Sequence, residues 1–215
     1  MVKIAPSFLS ADFRCLEREV KRVEQAGADL IHLDVMDGHF VNNITFGPLV
    51  VKTIDRLTDL PLDVHLMIEE PEKYLREFAQ SGADYLTVHI EVCDRIETTI
   101  SEMKSLGVKA GVSLNPDTPL RRIKDILAEL DLVLLMTVFP GFAGQRFISS
   151  VLEKIKELRS WLLDQNNKLL IEVDGGVDEK TAPLARDAGA DVLVAGSALF
   201  GAADLPKMMR ELRGE

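Results

Sequence analysis

Short runs of β-branched and apolar residues alternate with longer stretches of helical periodicity along this chain of 215 residues. The runs predict strands at Lys3–Phe8, Leu30–Val35, Leu62–Met67, Tyr85–Ile90, Val108–Leu114, Leu132–Val138, Leu169–Val173 and Val192–Ala195. Several are apolar on both faces, the pattern of parallel strands covered on both sides. Between them, helical spacing is clearest at Phe13–Ala26, Pro71–Ser81, Asp94–Leu106, Ser149–Asp164 and Glu179–Ala188. In the first of these, Leu16, Val20 and Val23 share one face while Glu17, Lys21 and Glu24 take the other.

A short signature recurs where helices hand over to strands: Ala26-Gly27-Ala28-Asp29, Ser81-Gly82-Ala83-Asp84 and Ala188-Gly189-Ala190-Asp191, with Leu106-Gly107-Val108 a weaker copy. Each glycine can adopt the left-handed conformation that closes a helix. Eight strand–helix units of this period, with no linker between them, predict an α/β fold: a single-domain (β/α)8 TIM barrel over 1–215. An open doubly wound sheet is the alternative, but no Gly-x-Gly-x-x-Gly follows the first strand.

In a barrel, chemistry belongs at the carboxyl ends of the strands. The second strand carries His32 and Asp34, two residues apart and so on one face; the third carries Asp63 and His65; His89 and Glu91 mark the fourth; Glu172 and Asp174 mark the seventh. Ser7 stands at the end of the first. The chain has only four histidines, and three of them occupy strand ends. Ionisable groups crowded on one barrel face are costly to bury unless they pair or bind a cation. His32, Asp34, His65 and Asp174 therefore form a ligand set for one divalent metal, with zinc, iron, manganese and cobalt all suited to imidazole and carboxylate donors.

The last three strands are followed by glycine-rich turns: Gly141-Phe142-Ala143-Gly144, Gly175-Gly176 and Gly196-Ser197. Turns of this kind near helix N-termini can present converging N–H groups to a phosphate. Charge agrees with a small anionic ligand rather than a polymeric one. With 25 Lys and Arg against 35 Asp and Glu, the net charge of -10 disfavours nucleic acid and anionic membrane as partners. No apolar run approaches the ~20 residues of a membrane span, and Asp12 and Arg14 interrupt the start before a signal-peptide core could form. Cys15 and Cys93 have neither metal-ligand spacing nor disulfide density, so a cytoplasmic protein with reduced thiols is expected.

The chain resembles the ribulose-phosphate 3-epimerases nearly end to end. The resemblance is carried by Ile4-Ala5-Pro6-Ser7 with Leu9-Ser10-Ala11-Asp12, by His32 through Val41, by Leu62-Asp63-Val64-His65-Leu66-Met67, and by Val88-His89-Ile90-Glu91. Leu114-Asn115-Pro116, Pro140-Gly141-Phe142, Glu172-Val173-Asp174-Gly175-Gly176 and Ala195-Gly196-Ser197 add to it. It implies a metal-dependent interconversion of D-ribulose 5-phosphate and D-xylulose 5-phosphate, with Asp34 and Asp174 as the acid/base pair and also metal ligands beside His32 and His65. It further implies that Ser7 and His65 contact substrate, that Met36, Met67 and Met136 line the reacting centre, and that Gly141, Phe142, Ala143, Gly144, Gly175, Gly176, Gly196 and Ser197 hold the phosphate. A homo-oligomer acting in pentose phosphate metabolism is the accompanying expectation.

Three positions depart from the family's pattern: Phe139 stands where Asn is usual, Ala143 where Gly is usual, and Asn42 where Pro is usual. If position 143 needs a positive φ, alanine there costs about 1 kcal/mol. Related epimerases of allulose 6-phosphate also carry Ala at this position, which makes a six-carbon ketose phosphate the alternative substrate. A non-catalytic barrel that binds sugar phosphates is the alternative of another class; Asp34 and Asp174 argue against it, since a binding module needs no acid/base pair.

Overall fold

The structure, a computed structural model, describes residues 1–165 and 167–215. Its eight strands are β1 (Lys3–Pro6), β2 (Ile31–Met36), β3 (Leu62–Met67), β4 (Tyr85–His89), β5 (Lys109–Leu114), β6 (Leu132–Met136), β7 (Leu170–Asp174) and β8 (Val192–Ala195). They form one all-parallel sheet in the order β1-β8-β7-β6-β5-β4-β3-β2. A parallel bridge between Ser7 and His32 joins its two outer strands and closes the barrel. The (β/α)8 expectation is met.

Helices α1 (Leu16–Gln25), α2 (Pro48–Asp55), α3 (Leu75–Gln80), α4 (Ile96–Ser105), α5 (Val151–Asp164), α6 (Ala182–Ala188), α7 (Ser197–Phe200) and α8 (Leu205–Arg213) surround the sheet. Val20 and Val23 of α1 are fully buried, as their spacing required. Phe13–Cys15, predicted as the first turn of that helix, is instead a separate 3-10 turn capped by the Asp12 side chain. Residues Leu120–Glu129 form a long 3-10 segment. Its buried Leu120, Ile123 and Ile126 repeat every three residues, the period at which a 3-10 helix keeps one face inward.

The core has two compartments. Outward-facing strand residues such as Ile4, Leu33, Val64 and Val133 pack under the helices. A smaller set, including Ala5, Tyr85, Leu132, Leu134, Val192 and Val194, fills the lumen. The recurrent signature sits at the amino-terminal end of the barrel. Gly27, Gly82, Gly107 and Gly189 all have positive φ, between +82° and +112°, where a side chain would be strained. The following aspartates lace the strands together: Asp29 accepts from the Ile4 N–H, Asp84 from Leu62 and Asp191 from Ile171, at 2.8–2.9 Å. Asp131, which lacks the preceding Gly-Ala, does the same for Ala110 at 2.9 Å.

Candidate active site

At the carboxyl ends of the strands the pairing register settles which side chains meet. His32 lies beside Asp63, Asp34 beside His65 and Met36 beside Met67 across β2 and β3, while Met136 lies beside Asp174 across β6 and β7. Positions paired in this way share a face, so the polar set converges inside the barrel mouth. One donor atom from each of His32, Asp34, His65 and Asp174 lies within 4.8 Å of every other. Three of these residues are buried and Asp174 is partly exposed.

Asp34 is the hub. Its Oδ1 lies 3.2 Å from His32 Nε2 and 3.2 Å from His65 Nδ1, and its Oδ2 accepts the Ser7 hydroxyl at 2.6 Å. The backbone beside it is braced by Thr45, whose hydroxyl donates to the Asp34 carbonyl and accepts from the Met36 N–H. His32 Nδ1 lies 2.5 Å from Asp63 Oδ2, and a carboxylate there demands that this nitrogen carry the ring proton. In a neutral ring, Nε2 is then bare and faces Asp34 Oδ1 as acceptor against acceptor. A cation at this point would satisfy the contact, and neutral imidazole with carboxylate is the donor chemistry of divalent transition metals. Without one, His32 takes up a proton. Burial opposes that charge, but Asp34 and Asp63 outweigh burial and hold the ring's pKa well above the usual value.

The two carboxylates of the quartet differ in their affinity for protons. Burial favours the neutral acid in both. At Asp34 the neighbouring His32 and His65 overcome it and push the pKa far below the usual carboxylate range. At Asp174, burial and the adjacent Asp34 charge act together and raise it to about 7. The imidazoles thus favour the ionised form at Asp34, while burial and a like charge favour the protonated form at Asp174, the direction of separation that an acid/base pair requires.

A narrow cleft opens above this floor. Asp34, Asp174, Ser7, Met36, Met67 and Met136 line it on the strand side. On the opposite side the lining comprises Gly141, Phe142, Ala143, Gly144, Gly175, Gly176, Gly196 and Ser197, so the three glycine-rich turns do converge. His32 and His65 do not line the cleft: both are fully buried beneath it, although His65 was expected to touch substrate. Leu9, Ser10, Val138, Pro140, Gln145, Val177 and Val194, none of them assigned a role from the sequence, complete the wall. Gln145 closes the glycine-rich segment after β6, and its amide donates to the Phe139 and Phe142 carbonyls.

Two of the departures lose their force here. Among the described residues only Glu70 combines a side chain with positive φ, so Ala143 carries no left-handed strain. Phe139 is 51% exposed and absent from the cleft wall, so its ring removes no polar group from the reacting centre. Beside the third departure, Asn42, the neighbouring Asn43 donates to the Gly141 carbonyl at 2.7 Å and ties the loop after β2 to the loop after β6.

Comparison with known proteins adds an independent line. Residues 3–200 match the sequence model of the "Ribulose-phosphate 3 epimerase family". A relative from Bacillus subtilis (strain 168), "Ribulose-phosphate 3-epimerase", is 59% identical over 215 residues, covering 100% of this chain and 99% of the relative. "Ribulose-5-phosphate-3-epimerase, chloroplastic" from Arabidopsis thaliana is 51% identical, covering 98% of this chain and 75% of its own length. Among solved structures, 3-hexulose-6-phosphate synthase from Salmonella typhimurium superimposes with a TM-score of 0.73 at 19% identity, covering 99% of this chain and 97% of that one, a likeness of fold alone.

Proposed function

The chain belongs to the ribulose-phosphate 3-epimerase family, and on that premise we propose that it interconverts D-ribulose 5-phosphate and D-xylulose 5-phosphate by proton transfer at C3 between Asp34, Asp174 and the substrate. The observation that carries this reading is the pairing of two carboxylates on one cleft floor, from β2 and β7, with opposite displacements of pKa. Epimerisation needs a base on one face of the carbon and an acid on the other, and two carboxylates from separate strands supply both, exchanging roles in the reverse direction.

His32, Asp34, His65 and Asp174 would hold one divalent cation, of which zinc, iron, manganese and cobalt all suit the donors. When bound, the cation supplies Lewis-acid stabilisation of negative charge on the substrate oxygens. The chain's own residues do the rest. The Ser7 hydroxyl holds Asp34 Oδ2 at the cleft side, leaving Oδ1 to the histidines. Met36, Met67 and Met136 exclude water without introducing a competing acid. The turns at 141–144, 175–176 and 196–197 hold the phosphate. Residues 1–215 act as one catalytic domain. Family membership and the free thiols Cys15 and Cys93 support a cytoplasmic homo-oligomer in pentose phosphate metabolism. Among the described residues no helix is long and apolar enough to cross a membrane.

Turnover in heavy water tests the reading. Deuterium should enter C3 of recovered ribulose 5-phosphate, and Asp174→Asn should lower turnover by about 10²- to 10⁴-fold with an unchanged melting temperature. Full activity in Asp174→Asn, or allulose 6-phosphate turning over a thousandfold better than the pentulose phosphate, would overturn it.

A further inference from the structure

His89 is fully buried, the mechanism above does not use it, and it touches a metal-facing histidine. Its Nε2 lies 2.9 Å from His65 Nε2, with ring centroids 4.9 Å apart and planes inclined by 28°. Its Nδ1 lies 3.0 Å from Glu91 Oε2. The other carboxylate oxygen, Oε1, accepts the Asn115 backbone N–H at 2.8 Å and the Thr118 hydroxyl at 2.5 Å. The loop that provides those donors is itself clamped: Lys154 Nζ donates to the carbonyls of Asn115, Pro116 and Thr118.

Hydrogen-bond polarity along this chain has one solution for neutral rings. A backbone N–H can only donate and a carboxylate can only accept, so Glu91 must receive a proton from His89 Nδ1. His89 Nε2 is then bare and must accept from His65 Nε2–H. That leaves His65 Nδ1 bare, and Nδ1 is the atom 3.2 Å from Asp34 Oδ1.

We infer that His89 and Glu91 are positioning residues that act through His65, fixing its tautomer so that a lone pair rather than a proton points at the metal position. The inference rests on the metal quartet of the preceding subsection. It deepens that reading by giving the ligand a hydrogen-bonded support reaching the rim of the barrel, of the kind that commonly raises metal affinity.

Glu91→Gln reverses the polarity. Its carbonyl must still accept the fixed Asn115 N–H, which turns the amide N–H2 toward His89. The imidazole must then accept at Nδ1 and donate from Nε2, and His65 Nδ1 acquires the proton that blocks coordination. Zinc affinity, measured by competition with a chromogenic chelator, should fall about 10- to 100-fold in Glu91→Gln. Saturating zinc should restore turnover in that variant. Thr118→Val, which keeps the carboxylate, should stay within threefold of wild type. Nitrogen-15 NMR of the wild-type histidines, which needs no variant to fold, should show His89 protonated on Nδ1 and His65 on Nε2. Undiminished zinc affinity in Glu91→Gln, or the opposite tautomers in the wild type, overturns the positioning role while leaving the metal site standing. Wild-type protein that binds no zinc overturns the quartet and this inference together.

Discussion

The barrel uses aspartate at both of its ends, and the two ends use it differently. At the amino-terminal end Asp29, Asp84, Asp131 and Asp191 each accept a backbone N–H from the start of a strand, spending their charge on structure. Two are further pinned by arginines, Asp29 by Arg213 and Asp191 by Arg159. At the carboxyl-terminal end Asp34 receives one hydroxyl and faces two imidazole nitrogens, and Asp174 stands partly open to the cleft. The first group has its donors supplied by the fold. The second is left short of donors, which is what makes it available to a cation and a substrate. A carboxylate's role in this molecule is therefore set by whether the backbone satisfies it.

The widest separation of the two ends should come from exchanging their failures. Asp84→Ala removes the acceptor of the Leu62 N–H and should cost about 1–2 kcal/mol, or roughly 3–6 °C in melting temperature, with turnover per folded molecule unchanged. Asp174→Asn should do the reverse. A loss of turnover in Asp84→Ala at temperatures where it is fully folded would erase the distinction.

A second test lies within the cleft, where the turns proposed to hold the phosphate are rich in glycine and so present mostly backbone. A Cβ at Gly176 (φ +65°) would lie 2.6 Å from the Phe147 nitrogen and 2.9 Å from the Gln145 carbonyl oxygen, both in the loop after β6. Gly176→Ala should displace that loop and raise KM about tenfold, with a smaller change in kcat and none in zinc affinity. Ala143→Gly, at a position without positive φ, should change KM less than twofold. Equal effects of the two substitutions would mean that the loop reads side-chain identity rather than space.

The sequence made the barrel legible because its information was local. Strand periodicity, the glycines that close helices and the strand-end histidines all declare themselves within a few residues. What it concealed depended on partners far along the chain. The glycine in each Gly-Ala-Asp could be interpreted at once, but the aspartate's acceptor role requires a strand 20–25 residues earlier. Helices α2, α7 and α8 were not foreseen: α2 opens on Gly47-Pro48, a pair that also reads as a turn, and α7 has only four residues. Asp34 and Asp174 could be selected by strand position. The split between their pKa values arises only where β2 and β7 bring them together. His89 and Glu91 were visible as polar residues at a strand end, yet their connection to His65 needed the β3–β4 contact.

The smallest effect concerns Glu91, which belongs to the carboxyl-terminal end but, like the aspartates of the opposite end, is satisfied by the backbone. Burial alone would raise its pKa. The bonds from His89, Thr118 and the Asn115 N–H overcome burial and hold it at about 2, below the ordinary value of 4.5. A carboxylate whose pKa is depressed on folding adds stability that is complete above the unfolded value and disappears as pH falls through the folded one. The wild type should therefore be more stable than Glu91→Gln at pH 6, and the gap in melting temperature should narrow progressively between pH 4.5 and about 2. A gap that stays constant over that range would show that Glu91 contributes nothing as an ion, and its likeness to Asp84 and Asp191 would then be one of geometry alone.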